Sequence, residues 1–217
     1  MTPDPPAGDA AVIDASRTDP ERFTEIYDAY FAAVHGYVER RLGRDAADDL
    51  TAETFLIAFR QREHYDLARA NARPWLYGIA THLVGRHRRA ELSRYRALAR
   101  TGADLDVQSH EDRVAAQVSA GQLRADLVRA LGRLSKGDRD VVLLMALADL
   151  NREEIATALA IPYGTVGSRL HRARRKLRQA LPDILAPGLE DHAVQHQAAL
   201  DQTVRGQTAR DGEFRNG

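Results

Sequence analysis

Asn151 to Arg178 read NREEIATALAIPYGTVGSRLHRARRKLR, and the periodicity of this stretch decides the fold. Asn151 is placed to cap a helix, and Glu154, three residues on, completes a capping box. Ile155, Ala156 and Leu159 follow at helical spacing. Ile161-Pro162-Tyr163-Gly164 then breaks the pattern, because proline lacks the amide a helix interior needs and glycine tolerates unusual backbone angles. A second helix is predicted over about Thr165 to Leu181, with Val166, Leu170, Ala173, Leu177 and Leu181 on one face. Arg169, Arg172, Arg174, Arg175, Lys176 and Arg178 fill the rest, and no acid stands between Ile161 and Leu181. An arginine-rich face is commonly only a solvated one. Here the cations are unbalanced by acids, the segment follows a capped helix after a short turn, and Thr165 and Ser168 sit at the positive end of the helix, where a phosphate is favoured. A capped helix, a turn and a basic second helix form the shape that enters the DNA major groove.

Working outward, 217 residues suffice for one ordinary domain or two small ones. The 31 basic and 31 acidic residues cancel, yet they are segregated, which suits a nucleic-acid binder with local basic patches. The chain has no cysteine, so disulfides and thiolate zinc sites are excluded and a cytoplasmic setting is compatible. The N-terminus MTPDPPAGDA lacks the basic and apolar regions of a signal peptide. The longest apolar run, Val141 to Ala148, is too short for a bilayer and reads as a buried helix.

Phe23, Ile26, Tyr27, Tyr30, Val34, Tyr37 and Val38 imply an amphipathic helix. Asp45 is placed to cap the next helix, with Asp48 three residues on. Leu50, Phe55, Ala58 and Phe59 give that helix its apolar contacts, and Asp48, Asp49 and Glu53 give it an acidic edge. A third helix starts at Pro74, tolerated in a first turn, with Trp75, Leu76, Ile79, Leu83 and Val84 on its apolar face. Residues 98–120 are acidic and polar and read as a flexible linker. Leu123, Leu127, Leu131 and Leu134 then share a helical face, and Ser135 caps the following helix with Asp138 in the reciprocal position. Residues 183–217 are poor in large apolar side chains and read as a disordered, acidic tail, with a weak helix near His192 to Leu200. Such a tail is usually solubilising, but folding back on the basic helix is a second reading.

The organisation expected from these patterns is all-α. It has a disordered N-terminus (1–20), a helical bundle (21–97), the linker (98–120), a helix-turn-helix domain (121–182) and the tail (183–217). No catalytic constellation, phosphate-binding glycine loop or metal-ligand set is legible. His192 and His196 are four apart but lack a third ligand. The chain therefore reads as a binding protein without a cofactor, not an enzyme.

The segment Gly164-Thr165-Val166-Gly167-Ser168-Arg169-Leu170-His171-Arg172-Ala173-Arg174, preceded by Glu154-Ile155-Ala156, resembles region 4 of the extracytoplasmic-function (ECF) sigma factors of bacterial RNA polymerase. Gly167 replaces the usual lysine. The N-terminal half is similar to region 2 of the same family, through DLTAETF at Asp49 to Phe55 and WLYGIA at Trp75 to Ala80, followed by the Arg88-Arg89 pair. Ala52 stands where a glutamine is usual, His82 where an asparagine is, and Ser135 where a proline is.

The resemblance implies that Asp49, Leu50, Glu53 and Thr54 dock on core RNA polymerase. It implies that Thr165, Ser168, Arg169, His171, Arg172 and Arg174 meet the -35 element of promoter DNA. Ser168, His171 and Arg172 would face base edges, and Thr165, Arg169 and Arg174 would hold phosphates. It places Tyr65, Asn71, Arg73, His82, Arg86 and Arg89 at the -10 element, where bases leave the stack. It also leaves room for an anti-sigma factor as a further partner, and for no membrane. Two readings of another kind stay open. A dimeric helix-turn-helix repressor or activator explains the C-terminal half but gives DLTAETF and PWLYGIA no role. An adaptor would use the acidic helix to hold a protein partner.

Overall fold

The computed structural model describes residues 8–100 and 118–181, and among these the chain is helical with no strand. The N-terminal half comprises α1 (Asp9–Thr18), α2 (Thr24–Leu42), α3 (Ala47–Gln61) and α4 (Arg73–Arg100). The C-terminal half comprises α5 (Val118–Gly132), α6 (Lys136–Ala148), α7 (Arg152–Leu159) and α8 (Tyr163–Ala180). Short 3-10 turns at Pro20–Phe23, Arg44–Ala46 and Arg62–His64 connect the first four helices.

The expected apolar stripes form the core. Ile26, Val34, Tyr37 and Val38 of α2 pack with Leu50, Phe55 and Ala58 of α3 and Leu76, Leu83 and Val84 of α4. Tyr77 and Ala80 join them. Tyr37 is fully buried and its hydroxyl lies 2.8 Å from that of Thr81, so its one polar atom is satisfied where water is excluded. In the C-terminal half, Val141 and Leu144 of α6 meet Ile155 of α7 and Val166 and Leu170 of α8. Leu181 is buried too, while Leu177 is half-buried.

The caps divide into those the sequence places correctly and those it does not. Asn151 accepts from the Glu153 and Glu154 amides, and Glu154 reaches back to the Asn151 amide at 2.9 Å, completing the capping box. Ser135 caps α6 by accepting from the Asp138 amide at 3.2 Å. The Asp138 carboxylate makes no reciprocal bond to the Ser135 amide, and Arg172 donates to it at 3.1 Å. Asp45 lies inside the Arg44–Ala46 turn and caps nothing by its side chain; α3 starts at Ala47. Asp48 instead pairs with His35 at 2.8 Å.

The α7–α8 turn comes earlier than its sequence suggests. Ala160 takes the left-handed conformation at φ 49°, and Pro162 caps α8, so the helix starts at Tyr163 and Gly164 lies in its first turn. Proline fixes its own φ and suits a helix start, which leaves the reversal to Ala160.

Further corrections concern the ends of the halves. Residues 9–18 are not a disordered extension: they form α1, with Val12 and Ile13 buried. Asp9 ties this helix down by accepting from the Ala72 amide at 2.7 Å and the Tyr30 hydroxyl at 2.6 Å. Helix α4 runs to Arg100 and α5 begins at Val118, so both margins of the expected linker are helical. Leu127 does not reach the core, and Leu127 and Val128 are exposed. Residues 101–117 and the tail after Leu181, with its expected weak helix, its two histidines and its folding back, lie outside the described residues.

The two halves pack against one another through α4 with α7 and α2 with α6. Arg41 of α2 and Asp140 of α6 form an ion pair at 3.0 Å with side chains only 3% and 5% exposed. Arg40 donates to the Leu147 carbonyl at 2.7 Å, and Arg73 to that of Ala148. Gly78 lets the backbones of α4 and α7 approach closely, since a Cβ there would lie 2.4 Å from the Ala158 carbonyl oxygen.

Candidate nucleic-acid interface

Burial of Val166, Leu170 and Ala173 fixes the roll of α8 and turns its basic face outward. Ser168, His171 and Arg174 are exposed there. Ser168 donates to the Thr165 carbonyl at 3.0 Å, an i−3 bond that leaves its oxygen lone pairs available. Thr165 itself is half-buried. Arg169 lies across the first turn of α6, with its guanidinium within 2.7 Å of where a Gly137 Cβ would stand. Arg172 leans the same way onto Asp138. Burial pushes the Asp138 carboxyl up, but hydrogen bonds from Ser135 and Arg172 and the charges of Arg172 and Lys176 outweigh it and hold the group below the usual carboxylate range.

His171 and Arg174 share a cleft of about 640 Å³ with Gly167, Arg175, Arg178 and Arg152, the last from the start of α7. The sequence reading leaves Arg152, Arg175 and Arg178 out of the DNA-facing set. The first stands on a different helix, but Arg175 is four residues after His171, and that spacing already places it on the same face. A Cβ at Gly167 would meet nothing within 4 Å, so a longer side chain fits there.

The residues expected at the -10 element are not gathered on one open face. His82, Arg86 and Arg89 are exposed along α4. Arg86 pairs with Glu53. His82 and Arg86 line a cleft of about 490 Å³ with Trp75 and Arg69, whose opposite wall is Thr157, Ala158 and Ala160 at the end of α7. Trp75 and Ile79 are only half-buried, so the apolar stripe of α4 has two partly open members. Tyr65 is a core residue: its ring packs on Trp75 at 4.9 Å and its hydroxyl donates to the Arg69 carbonyl at 2.8 Å. Asn71 accepts from the Arg73 amide at 2.8 Å and so serves the start of α4. Arg73 is engaged by the Ala148 carbonyl, by Glu154 at 3.8 Å and by the Tyr77 ring.

On α3, helical phase separates the four residues expected to dock on polymerase. Leu50 and Thr54 face the core, and the Thr54 hydroxyl donates to the Leu50 carbonyl at 2.7 Å. Asp49 is exposed and Glu53 is half-buried. They share the outer stripe with Ala52 and Leu56, and Leu56 is 46% exposed. An apolar side chain so exposed one turn beyond Glu53 is the residue the sequence reading misses; its spacing of seven from Asp49 is the signal that finds it.

Two helical halves, one carrying a helix-turn-helix with a basic outer helix and the other an acidic helix beside an arginine-ended one, define a protein of the helix-turn-helix class. Residues 26–94 match the family model of Sigma-70 region 2, and residues 124–177 match that of Sigma-70, region 4. The ECF RNA polymerase sigma factor SigL of Mycobacterium tuberculosis is 31% identical over 176 residues, which cover 81% of this chain and 97% of the relative. BldN of Streptomyces coelicolor, also an ECF sigma factor, is 32% identical over 170 residues, and the match spans 78% of this chain and 64% of BldN. The chain belongs to the ECF branch of the sigma-70 family. Its fold is similar to that of CnrH solved in complex with the cytosolic domain of CnrY, with a TM-score of 0.53 and 24% identity, covering 82% of this chain and 99% of that one. No group of acids and histidines among the described residues has the geometry of a metal site, and no described helix is long and apolar enough to cross a membrane.

Proposed function

We propose that this chain is a cytoplasmic promoter-specificity subunit that binds core RNA polymerase and directs initiation at promoters carrying -35 and -10 elements. The observation that carries this reading is the union, in one chain of the family, of a basic α8 without acids and an α3 whose outer stripe alternates acid and apolar residues. Charge from α8 and Arg152 would hold duplex phosphates, and Ser168 and His171 would face base edges. Arg172 serves as a base reader once it exchanges Asp138 for a guanine O6 and N7, worth about 1–3 kcal/mol of discrimination. Thr165, Arg169 and Arg174 hold the backbone on either side. Asp49, Glu53 and Leu56 form the docking stripe, and Leu50 and Thr54 set its orientation from beneath.

In the same reading Trp75, His82, Arg86 and Arg89 take the opened strand, with Asn71 and Arg73 at the head of α4 and Tyr65 supporting Trp75. The two elements lie ~25 base pairs apart, roughly 85 Å along B-DNA. That exceeds the ~45 Å breadth of a compact chain of this length. The α4–α7 contact therefore opens on the promoter and releases Arg73.

Binding to core polymerase tests the docking stripe first. The purified chain is expected to co-elute with core enzyme, and Glu53→Lys with Leu56→Asp to abolish co-elution while leaving helicity intact. Tight, sequence-specific duplex binding by the chain alone, with no co-elution, would favour the autonomous repressor or activator instead. An anti-sigma factor is a further candidate partner, and copurification from the native host would identify one.

A further inference from the structure

Where α2, α4 and α6 meet, a cleft of about 520 Å³ is lined by Arg41, Arg88, Arg89, Lys136 and Arg139, with Asp140 and Glu91 as its carboxylates. The two carboxylates are outnumbered. Asp140 already accepts from Arg41 at 3.0 Å and Lys136 at 3.2 Å, and Glu91 lies 3.5 Å from His87. Arg88, Arg89 and Arg139 have no ion pair among the described residues. The Arg88 guanidinium donates to the Arg41 carbonyl. Burial, then the nearby charges of Arg41 and Arg139, lower its affinity for its proton, and Asp140 and Glu91 only partly oppose them. At the floor, Arg41 donates to Tyr37 at 2.6 Å and to Asp140, while its Nε is buried without a partner.

This crowding is not explained by the helices themselves. Lys136 is the first residue of α6 and Arg139 the fourth, at the end where a helix disfavours cations. Nor does the fold need five cations to hold two carboxylates. Like charges at close range in a partly buried site are destabilising unless an anion joins them. Gly85 adds room: a Cβ there would come within 3.2 Å of the Lys136 stem.

We propose that this cleft binds a small di- or polyphosphate anion, which bridges α4 and α6 and so ties the two halves together. Arg88, Arg89 and Arg139 would supply forked donors to phosphate oxygens, and Lys136 a point charge. The volume suits a small ligand. A concave site with a buried arginine at its floor favours a compact anion over a duplex backbone, which meets exposed cations.

The test uses the full chain and inorganic pyrophosphate, titrated calorimetrically at about 0.15 M salt so that long-range attraction is screened. Saturable binding of one pyrophosphate per chain is expected. It should weaken at least tenfold in Arg139→Gln and in Lys136→Gln, neither of which belongs to the proposed promoter or polymerase surfaces. Arg22→Gln, a charge change on the distant Pro20–Phe23 turn, should leave it unaltered. Circular dichroism of each variant separates a lost site from a lost fold. Non-saturable heat, or equal weakening in all three variants, overturns the site. Displacement of pyrophosphate by a promoter-free duplex equally overturns it, assigning the cleft to DNA backbone. Polymerase is absent throughout, so this outcome is independent of the chain's role in initiation.

Discussion

The outer face of α8 and the corresponding face of α4 carry comparable chemistry but stand in opposite states. On α8, Ser168, His171 and Arg174 look outward, and the cleft they share with Arg152 is open. On α4, Arg73 is spent on the C-terminal half, and the cleft holding His82 and Arg86 has α7 as its far wall. The same α7 that packs on α8 thus forms the far wall of the cleft on α4. In the proposed function, recognition of duplex and handling of opened strand are coupled through the α4–α7 contact. Breaking it should change the second surface and leave the first alone.

The largest effect is expected at the ion pair that joins the halves. Arg41→Ala removes one member of a pair whose side chains are 3% and 5% exposed and should destabilise the chain by about 3–5 kcal/mol in chemical denaturation. Replacing Arg41 and Asp140 together with apolar residues should cost far less, because no uncompensated charge remains. Next is Gly78→Val, whose Cβ collides with the backbone at Ala158. Overpacking of this kind costs about 1–3 kcal/mol. Amides near His82 should then exchange faster with solvent, while those of α8 keep their protection.

A smaller effect is expected within the C-terminal half. The Asp138 carboxyl is held below its ordinary value of 3.8, so its contribution is complete above that value and is lost as pH falls through the lowered one. Asp138→Asn should cost about 1 kcal/mol at neutral pH, since Arg172 is half exposed and the pair is partly screened. Thermal melts of the two proteins should converge as the solution is acidified below pH 3.8. The smallest change has the opposite sign. Gly167→Ala should stabilise α8 by up to ~1 kcal/mol, because the added methyl meets open space and glycine is a poor helix former.

What the sequence makes legible is local. The Asn151–Glu154 box and the buried stripe Val166, Leu170 and Ala173 follow from spacing alone, and α4 starts at Arg73, one residue before the expected Pro74. Helix α1 was hidden because Val12 and Ile13 sit among acids and alanines, too few to show a period. The inward turn of Leu50 and Thr54 was readable in principle, since Leu50, Thr51, Thr54, Phe55 and Ala58 are one helical stripe and Asp49, Ala52, Glu53 and Leu56 the other. Tyr65 illustrates a second limit: a motif position in a loop does not reveal whether the ring stacks outward or on Trp75. The contact between the halves left no trace at all, because Arg41 and Asp140 are 99 positions apart and no local period links them.

Promoter-directed initiation is the central claim, and multi-round transcription with bacterial core polymerase on a genomic promoter library tests it most directly. With the chain added, discrete new start sites sharing -35 and -10 elements are predicted, and the substitutions Ser168→Ala and His171→Ala should shift which promoters are chosen. If the chain adds no start sites to core enzyme, while still binding duplex by itself, the account of it as a specificity subunit is contradicted.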